Sequence, residues 1–118
     1  MSAAQVNAEI LNDVLVIHVT EALIPFQRVM ALLKQSQPLS GVVIHNKVPD
    51  YIPDQHSISY LIDIMGYIPA EKQKKLAIIP FTHLQRAMFE IVLDEINHLN
   101  VKIDFFTEIA PALSWICP

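Results

Sequence analysis

Leu76-Ala77-Ile78-Ile79-Pro80 and Val101-Lys102-Ile103-Asp104-Phe105-Phe106 decide the fold. The first is a short apolar run that follows Lys74-Lys75, and the second alternates apolar and polar residues. Both read as strands. Between them Leu84, Met88, Ile91, Val92, Glu95, Ile96 and Leu99 recur every three to four residues, a helix whose apolar stripe only Glu95 breaks. Strand, helix, strand with short connections is a βαβ unit with a right-handed crossover, so it predicts a parallel sheet with helices over it.

Working outward, Val6 to Leu11 and Val14 to Val19 are β-prone runs joined at Asn12-Asp13. Both joining residues tolerate the left-handed conformation of a tight hairpin turn. The second run is almost wholly apolar, as in a strand covered on both faces, and His18 within it reads as a satisfied core histidine. Pro25 suits a first helical turn. Phe26, Val29, Met30 and Leu33 give the stripe of a helix ending near Gln35. Gln37 to Gly41 is a turn, Val42 to His45 a strand, and Asn46 to Gln55 a loop with two prolines. A second helix spans His56 to Tyr67, and a last one spans Glu108 to Ile116. Thr82 and Gln85 have the spacing of a capping box before the third helix. The expected fold is α/β: a β-hairpin followed by βαβαβα, mostly parallel, one domain over residues 1–118.

Composition narrows the function. Of the 118 residues, 53% are hydrophobic and 17% charged, too few charges to cover every face, so apolar surface is expected in a partner or pocket. The net charge of −4 argues against nucleic acid. The run Lys72-Gln73-Lys74-Lys75 reads as a solvated loop before a strand. Cys117 is the only cysteine and precludes an intramolecular disulfide. The N-terminus lacks a secretory signal and no apolar run reaches a membrane span, so a cytoplasmic setting is expected.

With the order β-β-α-β-α-β-α-β-α in place, the chain resembles the STAS superfamily of anti-sigma-factor antagonists and sulfate-transporter tails. Lys75-Leu76-Ala77-Ile78-Ile79, Val101 to Phe106 and Ala112-Leu113-Ser114-Trp115-Ile116 resemble its SpoIIAA-like branch. The resemblance implies a non-enzymatic regulatory module acting through protein contacts. It equally brings a lipid-carrier-like pocket for a small apolar ligand into view. Phosphorylated members carry Asp-Ser-Ser-Gly at the entry to the second helix, where this chain has Pro53-Asp54-Gln55-His56-Ser57. The phosphorylation switch is therefore not carried over. Asp54 either stands at the phosphoserine position or caps the helix, the commoner role of Asp.

Ligands of open parallel sheets sit beyond the carboxyl ends of the strands. That edge should collect Thr20, Glu21, His45, Asn46, His56, Thr82, His83 and Thr107. Three histidines there invite a metal or acid–base reading, but they come from separate loops without ligand spacing. No nucleophile–histidine arrangement and, with Gly41 and Gly66 the only glycines, no phosphate-cradling loop is present. Neither catalysis nor a cofactor is expected. Tyr51 and Ile52, between prolines, either form a contact surface or fold back over the second helix; Tyr67-Ile68-Pro69 is a second such spot. The candidate ligand or partner surface is His45, Asn46, Tyr51, Ile52, Asp54, His56, Thr82 and His83. A homodimer is expected, through the edge strand Val6 to Leu11 or the Tyr51-Ile52 loop.

Overall fold

The computed structural model describes residues 8–20, 26–35, 38–95 and 100–118. The reading of Val6, Asn7, Glu21, Pro25, Gln37 and Ile96 to Leu99 falls outside them. In order, the elements are β1 (Ala8–Leu11), β2 (Val14–Val19), α1 (Phe26–Leu33), β3 (Gly41–Asn46), α2 (Gln55–Met65), β4 (Lys74–Ile79), α3 (His83–Leu93), β5 (Val101–Phe105) and α4 (Ile109–Ile116). They form one five-stranded sheet in the order β1-β2-β3-β4-β5, with β1 antiparallel and the rest parallel. The α/β fold expected from the sequence is the fold observed.

The hairpin turn forms as its residues dictate. Asn12 and Asp13 have φ of 52° and 67°, the pair of left-handed residues a primed turn requires. The turn sets Leu11 opposite Val14 and Glu9 opposite Val16. Each later strand lies one place further along the sheet. Crossovers of one hand then put α1, α2 and α3 on the same face. There Leu15, Ile17, Val42, Ile44, Leu76 and Ile78 pack against Val29, Leu61, Ile64 and Phe89. The alternate residues Val14, Val16, Val43, Ala77 and Ile79 face the other way and meet Ala112 and Ile116 of α4.

The lysine run departs from the expected solvated loop. Lys74 and Lys75 open β4 and point to opposite faces. The Lys74 ammonium donates to the carbonyls of Met65 (3.1 Å) and Ile68 (2.9 Å), closing the α2 end. Lys75 Nζ donates to the Trp115 carbonyl at 2.9 Å and lies 5.5 Å from that indole ring. Neither helix carries a basic residue in its last turn, so a neighbouring strand supplies the cation to the negative end of each dipole.

α3 differs from its expected orientation. The stripe of Leu84 and Ile91 should have faced the core, yet these residues are 65% and 72% exposed. The buried row is Gln85, Phe89 and Leu93. Phe89 fills the core, and Gln85 is buried because its amide is fully used.

Candidate functional site

The loop after β3 is fastened to α3 by one side chain. Gln85, fully buried, donates through Nε2 to the carbonyls of Val48 (2.7 Å) and Tyr51 (3.1 Å), and its Oε1 accepts from the Phe81 N–H at 2.8 Å. Thr82 Oγ1 accepts from the Gln85 N–H at 3.1 Å, so the expected cap forms. The glutamine reaches back one residue further than expected, to Phe81.

This clamp overturns Tyr51 as a surface residue. Its ring is buried against Phe89, with centroids 6.0 Å apart. Its hydroxyl donates to Ser57 Oγ at 2.6 Å, and Ser57 Oγ in turn donates to Asp54 Oδ1 at 3.2 Å. Burial pushes the Tyr51 phenol up to about 12. Asp54 is the α2 cap: Oδ1 accepts the Ser57 N–H at 2.9 Å, and that bond holds its carboxyl below the usual carboxylate range. Ile52 and His56 are exposed, and Ile68 of the second proline-flanked spot is buried.

Asn46 is also removed from the candidate surface. It is buried at the end of β3, with Nδ2 donating to the Ile79 carbonyl at 3.0 Å. Its Oδ1 has no partner among the described residues.

The histidines do not converge as the edge suggested. His45 lies beside His18, with their Nδ1 atoms 3.3 Å apart, and His18 Nε2 donates to Glu9 Oε2 at 2.7 Å. His56 is exposed on α2, and His83 starts α3. Among the described residues no group of three His, Cys, Asp or Glu side chains could hold a metal. Sequence reasoning passed over Glu9 and His18 as a pair. The two-residue turn could have found them: it sets Glu9 opposite Val16, on the face that His18 shares.

Thr82 and His83 do meet a concave surface. At the carboxyl ends of β4 and β5 they line an open cleft of about 290 Å³ with Phe81, Arg86, Phe105 and Phe106. The Arg86 guanidinium sits 4.7 Å from the Phe105 ring centroid. Phe81 at the cleft is 55% exposed, and Leu84 and Ile91 are exposed on α3.

These features define a five-stranded α/β protein with a sheet-end cleft and an uncovered apolar helix face. No protein-family model, curated protein or solved structure matches the chain. Among the described residues no helix is long and apolar enough to cross a membrane.

Proposed function

We propose that this chain is a cytoplasmic, non-enzymatic regulatory module of STAS type, acting through protein contacts made by the outer face of α3. The supporting observation is the exposure of Leu84 and Ile91, two helical turns apart on one face, with Phe81 at the helix entry. Exposed apolar side chains aligned on a rigid helix are an interaction surface in a chain so poor in charge.

The occupant is a second copy of the chain. Across a two-fold axis, antiparallel α3 helices would cross at Leu84 and Ile91. A stable dimer buries about 800 Å² per partner. That exceeds one helix face, so the contact extends to the exposed Ile62 on neighbouring α2.

Light scattering over a micromolar concentration series tests this. A dimer is expected for the wild type. The double substitution Leu84→Lys, Ile91→Lys should give a monomer with an unchanged circular dichroism spectrum. A 13.3 kDa wild-type monomer throughout removes the second copy as occupant. A variant that stays dimeric moves the contact elsewhere, with the edge strand β1 first in line.

The cleft favours a second reading, a small apolar ligand. Phe81, Phe105 and Phe106 supply its walls, and Arg86 and His83 its polar rim. Native mass spectrometry of the purified protein would show co-purified mass, lost on Phe106→Ala.

A further inference from the structure

Glu9, His18 and His45 lie apart from both the cleft and the α3 face, where strands β1, β2 and β3 bring them together. We propose that these three side chains form a proton relay, an acid–base site that presents a bare Nε2 of His45 to a protic ligand such as a hydroxyl or thiol.

Hydrogen-bond bookkeeping fixes the tautomers. An ionised Glu9 only accepts, so the 2.7 Å contact requires a proton on His18 Nε2. With His18 neutral, its Nδ1 is then bare. The Nδ1–Nδ1 contact at 3.3 Å therefore needs the proton of His45. His45 is left protonated at Nδ1, with its lone pair at Nε2. Burial, and then the charge of Lys47, hold the His45 pKa below its ordinary value, which favours the neutral ring.

The surroundings suit such a relay. His18 is buried, His45 is half-buried, and Glu9 is partly exposed. Glu9 faces the pair from β1, and Lys47 follows β3. β4 sets apolar Ile79 beside His45 in register, and α4 packs apolar side chains onto this face, Ala112 and Ile116 with Ile109, Leu113 and Trp115 around them. Glu9 thus sets a carboxylate directly against the His18 ring.

The transfer balances. The X–H bond of the ligand breaks, leaving its electron pair on X, and a new N–H bond forms at His45 Nε2. The Nδ1–H bond of His45 breaks as an Nδ1–H bond forms on His18. His45 ends neutral in the opposite tautomer, and the positive charge rests on His18 beside Glu9. A lone histidine would keep that charge at the attacked ring. The relay moves it one ring away, to the carboxylate.

Diethyl pyrocarbonate is a direct probe, because it acylates the lone pair of a neutral imidazole. Attack by Nε2 forms an N–C bond, breaks an anhydride C–O bond and expels ethyl carbonate, while the Nδ1 proton passes to His18. Peptide mass spectrometry gives a rate at each site, with exposed His56 and His83 as internal references. Glu9→Gln can still accept from His18 but offers no negative charge. It should slow acylation of His45 roughly tenfold relative to His83. An unchanged ratio overturns the proposal. Should the variant unfold, long-range proton–nitrogen NMR on the wild type decides. His45 protonated at Nδ1 and His18 at Nε2 support the relay, and any other pair of neutral tautomers rejects it.

Discussion

Gln85 shows how a single side chain can set the shape of a binding edge. It occupies the core row of α3 between sheet and loop, and three of its hydrogen bonds go to backbone atoms of Val48, Tyr51 and Phe81. Gln85→Leu keeps the volume but strands two buried carbonyls and an N–H. It should cost about 2–4 kcal/mol in urea unfolding, whereas a cost under about 0.5 kcal/mol would mean the clamp is dispensable. Its cap with Thr82 was legible because the partners are three residues apart. Its bonds to the loop cross more than thirty residues, which no local pattern encodes. Tyr51 escaped the sequence for the same reason: proline-flanked aromatics read as exposed until a clamp turns them inward. Its phenol carries a pH signature. A folded value of about 12, above the ordinary phenol value of 10.0, means the fold gains stability from the neutral form. That contribution is complete below pH 10 and is lost as pH rises toward 12, about 3 kcal/mol in all. Alkaline unfolding followed by tyrosinate absorbance should therefore shift to higher pH in Tyr51→Phe, once compared at equal neutral-pH stability.

At the scale of elements, the hairpin and α3 mark the two extremes of legibility. Asn12-Asp13 demanded one turn geometry, and the register of β1 on β2 followed from it. The same register places Glu9 and His18 on one face, so the relay was latent in the sequence and needed only the parallel neighbour β3. In α3 the periodicity was real but ambiguous. Apolar residues occupy both Leu84–Met88–Ile91 and Phe89–Leu93, and the residue that completes the buried row is a glutamine. Hydropathy alone therefore chose the exposed stripe. Leu84→Lys with Ile91→Lys should lower stability by less than about 1 kcal/mol at dilute, monomeric concentration, since neither side chain is buried. Phe89→Ala should cost about 3–5 kcal/mol, because its ring is wholly enclosed. Guanidine titration of both variants reads the contrast, and the reverse order of losses would place the other face in the core.

For the molecule as a whole, the two faces of the sheet are closed very differently. Three helices cover one face, whereas the other is covered in the middle by the eight residues of α4. Covering the sheet with so short a helix requires close approach, and Gly41 provides it at the start of β3. A Cβ built there would lie 2.5 Å from Ile116 Cγ2, 3.2 Å from its Cδ1 and 3.2 Å from the Lys75 carbonyl. Lys75 holds the other side of the joint through the Trp115 carbonyl, and Trp115 packs on Phe106, ring centroids 5.5 Å apart. The helical spacing of Ile109, Leu113 and Ile116 marks an inward stripe on α4; nothing local could show that Gly41, seventy-five positions from Ile116, was its counterpart. The two residues should therefore be coupled. Gly41→Ala alone pushes Ile116 off the sheet and should cost about 1–3 kcal/mol through overpacking. Ile116→Ala alone should cost about 2–4 kcal/mol through the void it leaves. In the double variant the new methyl enters the space vacated by the isoleucine, so the loss should fall short of the sum by at least about 1 kcal/mol. Denaturant midpoints for the four proteins measure this. Additivity within about 0.5 kcal/mol would mean that α4 is held by its Lys75 and Trp115 contacts and not by close packing at Gly41.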